Sequence, residues 1–255
     1  MAEPVYAPVI VAAKGAFAGL GLKCDVRGSQ NVPRSGGAVL ASNHISYLDF
    51  IFAGLGANPS GRYVRFMAKD SIWDNKIAGP LMRGMKHIPV DRNAGAESYR
   101  VALDALRRGE IVGIFPEATI SRSFEIKDFK VGAVRLAQQA GVPLIPEIIW
   151  GTHRLMTKGR ERDFSRGKAI SVTVGTPITI APDDDVEEVG KHLHDAMSSM
   201  LEDAIARYPQ QPNGADDMWW IPARLGGTAP TLAEATRMDR LEALDRAKKR
   251  STEKG

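Results

Sequence analysis

Cysteine is almost absent from this sequence of 255 residues, in which Cys24 is the only one. A single thiol excludes an internal disulfide framework and leaves too few thiolates for a cysteine-based metal site. It is consistent with a reducing compartment. Because free cysteine usually behaves as a small apolar residue, we expect Cys24 to be buried.

Long hydrophobic runs are also missing. The most apolar N-terminal stretch, Val5 to Leu22, contains Lys14 and several Gly and Ala residues and has no flanking basic region. It is too short and too weakly hydrophobic for a membrane span, and it does not resemble a cleavable signal. We predict that residues 1–25 form an amphipathic helix in the membrane interface, with Tyr6 and Phe17 as anchors. The alternative is an amphipathic helix that packs on its own domain.

Charge is mild in total, at +4, but unevenly distributed. Residues 60–170 hold about eight more Lys and Arg than Asp and Glu, a balance that suits phosphate groups, an anionic lipid surface or nucleic acid. The sequence has neither paired Cys/His zinc spacing nor an RNP-like aromatic run, so we expect no nucleic-acid partner.

Short apolar runs alternate with helical patterns along the chain, which predicts an α/β domain over residues 26–208. Predicted strands are 37–42, 65–68, 111–115, 144–150 and 170–174, and predicted helices are 47–55, 98–108, 131–140 and 181–208.

Residues 209–255 are predicted to form a tail. Its first part is rich in Pro and Gly and contains Trp219 and Trp220, and a charged helix follows from about Thr231 to Lys249. The two tryptophans could anchor the protein at a membrane interface or fasten the tail to the domain.

The first candidate functional residues are His44 and Asp49, which lie directly after the first strong strand signal. Five residues apart on a regular helix, these side chains would point about 140° apart and could not meet. They can pair if His44 lies just before a helix and Asp49 reaches back from its first turn. Asp49 would then fix the imidazole tautomer, leaving the other ring nitrogen to take a proton from an alcohol. A polar turn capped by Ser42 or Ser46 is the structural alternative.

Two further segments carry polar residues after apolar runs. Residues 114–123 offer Glu117, hydroxyl groups and Arg122, and residues 87–92 end on Arg92. Two arginines could converge on one phosphate, because the guanidinium fork matches its oxygens.

Together these segments resemble the glycerolipid acyltransferase family, which contains the bacterial 1-acylglycerol-3-phosphate acyltransferases. Four blocks match in the family's order over about 120 residues: the His-four residues-Asp motif with Asn43 before it, the block ending in Arg, the Phe-Pro-Glu-Gly-Thr-Arg-Ser block and an apolar Val-Pro run. The matching positions are His44 and Asp49; 88–92; Phe115, Pro116, Glu117, Thr119 and Ser121; and 142–146. Residues 129–133 also resemble a Lys-containing segment of the family.

Two positions depart from that pattern. Ala118 stands where the family has Gly, and it fits without strain only if its φ is negative. Ile120 stands where the family has Arg, which removes an expected phosphate contact. Arg122 or Lys130 could replace that contact, so the departure bears on the acceptor head group rather than on acyl transfer.

The resemblance implies a single α/β domain with a mixed, largely parallel sheet flanked by helices. It implies transfer of a fatty acyl group from acyl-CoA or acyl carrier protein to the sn-2 hydroxyl of 1-acylglycerol 3-phosphate, without a metal or other cofactor. His44 would be the general base and Asp49 its orienting partner. The substrate-binding set would be Arg92, Glu117, Thr119, Ser121, Arg122 and Lys130, with Glu117 alternatively organising the loop.

Such an enzyme would lie at the cytoplasmic face of the membrane, peripheral or monotopic, with its lysophospholipid substrate. The acyl chain would need an apolar groove near His44, for which the candidates are Phe50, Phe52, Ile72, Trp73, Leu81 and Met85. Three alternatives stay open: the same chemistry on another acceptor, thioester hydrolysis by the same pair, and a lipid-binding module without activity. The sequence does not indicate the oligomeric state.

Overall fold

A computed structural model describes residues 3–91 and 95–252 of the chain, and a seven-stranded sheet forms its centre. Across the sheet the strands follow the order β1-β7-β6-β2-β5-β3-β4. Their bounds are β1 Lys23–Arg27, β2 Ala38–Ser42, β3 Val64–Lys69, β4 Ile88–Val90, β5 Ile111–Ile114, β6 Leu144–Trp150 and β7 Ala169–Val174.

Helices cover both faces of this sheet. Their bounds are α1 Tyr6–Gly19, α2 Asp49–Ala57, α3 Ala78–Gly84, α4 Gly95–Arg107, α5 Gly132–Ala140, α6 Val186–Ala206 and α7 Leu232–Thr252. One apolar cluster joins β-strand side chains to α4, α5 and α6, and a second joins the opposite face to α2 and Phe17 of α1. Both faces being covered explains why the central strands read as continuous apolar runs.

The pairing of strands confirms the mixed, largely parallel sheet. Every neighbouring pair is parallel except β6 and β7, which are antiparallel. Residues 38–42 of β2 are all buried, as expected for a strand with neighbours on both sides and helices on both faces. The carboxyl ends of β2 and β5 therefore lie side by side at one edge of the sheet, which is where α/β folds place their sites.

Strand β1 was not predicted, and it crosses the boundary drawn at residue 25. It pairs in parallel with β7, with Cys24 opposite Ile170. Our expectation that Cys24 is buried was wrong, because β1 is the outermost strand of the sheet and the residue is exposed.

Helix α1 packs on the domain through the two aromatic residues that were predicted to be membrane anchors. Tyr6 is buried and its hydroxyl donates to the Val64 carbonyl at 2.7 Å. Phe17 stacks on Phe52 with ring centroids 4.6 Å apart. The anchor assignment was therefore wrong for Tyr6, whose side chain is covered by the protein itself. Phe17 is only half-buried, so its assignment as an anchor stays a prediction. Val11 on the outer side of α1 is 70% exposed.

Trp220 fastens the tail to the domain. Its side chain is buried, and its carbonyl lies 3.0 Å from Nε2 of the buried His153. The alternative in which this tryptophan holds the tail in place is thus the observed one. Within residues 3–91 and 95–252, no helix is both long enough and apolar enough to cross a membrane.

Candidate active site

The turn between β2 and α2 carries the first part of the site. Asn43 ties this turn to β6 through both atoms of its amide group: Nδ2 donates to the Ile149 carbonyl at 3.0 Å, and Oδ1 accepts from the Ile149 amide at 2.7 Å. The side chain therefore continues the hydrogen-bonding of the strand pair after β2 has ended. This fixes the backbone immediately before His44.

His44 and Asp49 are in contact, as the sequence predicted. Helix α2 begins at Asp49, and His44 lies in the turn before it. The Nδ1 atom of His44 is 3.0 Å from Oδ2 of Asp49. The five-residue spacing works because only Asp49 is helical, so the two side chains do not diverge as they would on one continuous helix.

The carboxylate of Asp49 is completely buried and is surrounded by donors. Besides His44, Oδ2 accepts from the backbone N–H groups of Ile45 and Ser46, each at 2.7 Å. The other oxygen, Oδ1, accepts from the Thr152 hydroxyl at 2.6 Å. Such donors compensate the cost of burying a charge. Both carboxylate oxygens are held, so Asp49 has little freedom to turn away from the imidazole.

This arrangement determines which nitrogen of His44 can act as a base. An ionised carboxylate can only accept, so Nδ1 carries the proton that it donates to Asp49. The neutral ring then has a free lone pair on Nε2. Phe115 stacks on the imidazole with ring centroids 4.3 Å apart, and 21% of the His44 side chain stays exposed. The ring is thus supported on one face and still accessible to a substrate.

Glu117 connects the loop after β5 to the turn that contains His44. Its Oε1 accepts from the His44 amide at 2.9 Å, and its Oε2 accepts from the Lys127 amide at 3.3 Å. Burial raises the pKa of Glu117 to about 8, against the lowering effect of these two backbone donors. Both oxygens are engaged within the protein, and the side chain is 4% exposed.

Ala118 adopts a left-handed backbone conformation, with a φ of 57°. The condition under which alanine would fit here without strain, a negative φ, is therefore not met. The loop turns here from the strand direction towards His44, and glycine would make this turn without a Cβ clash. The alanine therefore carries local backbone strain.

The structure describes four of the five remaining predicted site residues, namely Thr119, Ser121, Arg122 and Lys130. Ser121 lies against the turn that contains His44, since its amide donates to the His44 carbonyl at 2.7 Å. Thr119 accepts from Lys158 Nζ at 2.8 Å, and Arg122 forms ion pairs with Asp239 and Glu242 of α7. By contrast, the side chain of Lys130 is exposed. Arg92 lies outside the described residues.

Three residues at or near the site were not singled out from the sequence: Thr152, Lys158 and Glu147. Thr152 follows Gly151 directly after the buried strand β6, a placement that could have drawn attention to it. Glu147 is buried within β6 and accepts from the Ser42 hydroxyl at 2.5 Å. A charged residue inside an otherwise apolar strand is a visible signal, because such residues are rarely buried without a reason.

An apolar cavity lies between α1 and α2. It is lined by Tyr6, Val9, Ile10, Ala13, Phe50, Ile51, Gly54, Leu55, Met85 and His87. A series of ring contacts leads towards it from His44 through Phe115, Phe66 and Phe50, with centroid separations of 4.3, 6.0 and 6.5 Å. Of the predicted groove residues, Phe50 and Met85 line the cavity. Phe52 belongs to the core, and Ile72 and Leu81 are exposed.

Comparisons with known proteins agree on one family. The family described as Acyltransferase matches residues 23–150. The chain is 35% identical over 154 residues to a 1-acyl-sn-glycerol-3-phosphate acyltransferase of Bacillus subtilis, covering 60% of this chain and 72% of the relative. It is 31% identical to a chloroplastic 1-acyl-sn-glycerol-3-phosphate acyltransferase of Brassica napus, over 45% of that relative's length. The crystal structure of the acyltransferase PlsC from Thermotoga maritima matches with a TM-score of 0.67 and 25% identity over 80% of each chain.

Proposed function

This chain belongs to the acyltransferase family, and we propose that it transfers a fatty acyl group from a thioester to the sn-2 hydroxyl of 1-acylglycerol 3-phosphate. The product would be phosphatidic acid for phospholipid synthesis. The observation that carries the proposal is the His44–Asp49 contact at the carboxyl end of β2. Its relatives in Bacillus subtilis and Brassica napus are named for the same reaction.

In the proposed mechanism His44 is the general base. Its Nε2 removes the proton of the acceptor hydroxyl while the oxygen attacks the thioester carbonyl. As the tetrahedral intermediate collapses, the carbon–sulfur bond breaks and the imidazolium returns the proton to the leaving thiolate. Asp49 orients the ring and stabilises the imidazolium, and general-base assistance of this kind contributes about 10²- to 10⁴-fold to rate.

Neighbouring residues would support this step without touching the reacting atoms. Thr152 and the Ile45 and Ser46 amides hold Asp49 in place. We assign Glu117 the loop-organising role, because both of its oxygens already accept from backbone amides. For the acceptor itself, Thr119, Ser121, Arg122, Lys130 and Arg92 remain the proposed binding set.

The cavity between α1 and α2 is the proposed site for an acyl chain. Its lining is mainly apolar, and Phe50 in that lining belongs to the series of ring contacts that includes Phe66, Phe115 and His44. Burying a methylene group contributes about 0.8 kcal/mol, which favours entry of the part of an acyl chain that this cavity of about 50 Å³ can hold. The exposed outer face of α1, which includes Val11, is the proposed contact with the cytoplasmic surface of the membrane.

The donor is proposed to be acyl-CoA or acyl carrier protein, with no further cofactor in the reaction. We would measure thiol release from palmitoyl-CoA with and without 1-acylglycerol 3-phosphate, and identify the lipid product. His44→Ala should abolish acceptor-dependent release, whereas His192→Ala, at an exposed position of α6, should not. Equal activity of His44→Ala and the unaltered protein would overturn the assignment of the base.

A different acceptor is the second candidate, and one observation favours it: Ile120 replaces the arginine found in the related motif and is buried. A panel of acceptors with glycerol 3-phosphate and neutral lysophospholipids decides between them. Release of free fatty acid that does not depend on any acceptor would instead indicate a hydrolase.

A further inference from the structure

Three cationic side chains converge beside the loop after β5. Arg122 and Lys127 belong to that loop, and Lys158 belongs to the segment that follows β6. Their side chains are only 9–15% exposed. We call these three residues the cationic cluster.

The cationic cluster lies next to the turn that holds His44. Arg122 follows Ser121, whose amide donates to the His44 carbonyl. Lys158 follows Thr157, whose hydroxyl donates to the Ile45 carbonyl at 2.7 Å. Lys158 also donates to the hydroxyl of Thr119, one residue before Ile120. Residues from two neighbouring segments therefore place positive charge beside Ile120, which replaces the arginine of the related motif.

Two carboxylates of α7 occupy this cluster in the structure. Asp239 contacts all three cations, and Glu242 contacts Arg122 and Lys158. Two carboxylates carry the same charge as one phosphate monoester dianion. In addition, none of the described side chains accepts a hydrogen bond from the buried Nε of Arg122, and Oδ1 of Asp239 lies 3.7 Å from it. The cluster thus retains a donor that the carboxylates do not satisfy.

The part of helix α7 whose side chains the structure describes continuously, residues 232–245, has little buried apolar surface. Among its side chains from 232 to 245, Ala235 is the one that is fully buried, and it lies on the same face as Asp239 and Glu242. The helix begins with a reciprocal capping contact between Thr231 and Glu234, which would help it persist away from the domain. Segments with few buried apolar contacts open at low free-energy cost.

We propose that the cationic cluster binds the phosphate of the acceptor, and that Asp239 and Glu242 of α7 are an intramolecular competitor for that site. The inference rests on the proposed function and adds its acceptor-binding residues and a mode of regulation. Binding of the acceptor phosphate releases α7 from the loop after β5. Molecules in which α7 occupies the cluster cannot bind the acceptor phosphate, so the apparent affinity of the protein for the acceptor is weaker in proportion to their fraction.

The first test is kinetic. The double variant Asp239→Asn/Glu242→Gln should lower the KM for 1-acylglycerol 3-phosphate by about tenfold with little change in kcat, because the competitor is gone. Asp245→Asn, an exposed change in the same helix, should leave both constants unchanged. Lys158→Gln should raise the acceptor KM by about tenfold or more and Lys158→Arg should largely restore it, with Lys191→Gln on α6 as the matched control. An unchanged or higher KM in the double variant would overturn the competitor role.

The second test does not need turnover. Glycerol 3-phosphate should increase amide hydrogen exchange in residues 232–245 of the full chain, whereas glycerol, or potassium chloride at equal ionic strength, should not. The effect should vanish in Lys158→Gln. If glycerol 3-phosphate released α7 but the protein transferred no acyl group, the anion site would be supported and the proposed function would be refuted. Normal acyl transfer with no effect of phosphate on α7 would refute the inference alone.

Discussion

Replacing Asp49 by asparagine separates its charge from its hydrogen bonds. The asparagine carbonyl oxygen can take the position of Oδ2 and still accept from His44, Ile45 and Ser46. The amide nitrogen then faces Thr152, whose hydroxyl can turn to accept. The geometry of the turn is retained, and the negative charge beside the imidazole is lost.

The size of the effect follows from the distance. At 3.0 Å and an effective dielectric constant of about 20, a carboxylate stabilises an imidazolium by about 5 kcal/mol. This is an upper value, since part of the His44 side chain is exposed to water. We therefore expect kcat/KM for acyl transfer to fall by about 10²- to 10⁴-fold, the range of general-base assistance.

Asp49→Ala provides the contrast in stability. It leaves the buried Ile45 and Ser46 amides and the Thr152 hydroxyl without their acceptor. Each unsatisfied group costs about 1–3 kcal/mol, and the sum approaches the stability of a whole domain, about 5–15 kcal/mol. Asp49→Asn should unfold near the wild-type temperature, and Asp49→Ala well below it. If the asparagine variant kept more than about a third of the wild-type kcat/KM, the argument that the charge assists His44 would be refuted.

Three further predictions concern single residues. Ala118→Gly should stabilise the protein by about 0.5–1 kcal/mol. The change removes a backbone strain of about 1–2 kcal/mol at positive φ, but the greater freedom of the unfolded glycine chain costs about 0.4–1 kcal/mol. Thermal unfolding measures this change in stability, and the control Ala196→Gly within α6 should destabilise the protein. Burial raises the pKa of Glu147 to about 8 from 4.5, so the folded protein holds a proton that the unfolded chain has released, and stability falls as pH rises between these values. In urea titrations from pH 5 to 9, the wild type should lose stability relative to Glu147→Gln, and parallel curves would contradict the assignment. Thr152→Val removes a donor to Asp49 worth about 1.5–3 kcal/mol, so it should lower both kcat/KM and stability, while Thr152→Ser should retain both.

The positions of the central strands could be predicted because each is a short apolar run bounded by turn residues. Runs at 37–42, 144–150 and 170–174 coincide with β2, β6 and β7 to within one residue. The edge strand β1 has a neighbouring strand on one side only, and none of its residues is buried, so its sequence carries no such signal. Strand pairing with β7 stabilises it, and that partner is more than 140 residues away.

The helices show the same limit. The periodicity of residues 98–108 and 131–140 predicted α4 and α5 closely. Sequence patterns did not indicate which surface α1 would contact, because an apolar helix face can contact lipid or protein equally well. The structure places the Tyr6 side chain inside the domain, where its hydroxyl donates to the Val64 carbonyl, as a buried phenol requires.

The sequence by itself determined the local part of the candidate site. A histidine and an aspartate five residues apart, at the junction of a strand and a helix, lie close enough along the chain for their contact to be predicted. The α/β fold and the resemblance to acyltransferases were likewise readable from short segments.

Only the tertiary structure decided which distant residues complete that site. Thr152 contacts Asp49 across 103 residues of chain, and Asp239 contacts Lys158 across 81. The strain at Ala118 also depends on where the loop must return to meet His44. The contact between Thr152 and Asp49 arises because the parallel strands β2 and β6 bring their carboxyl ends to one edge whatever their separation in sequence. A sequence pattern shows periodicity over a few helical turns, whereas the partner of a buried charge depends on which distant segments the fold brings together.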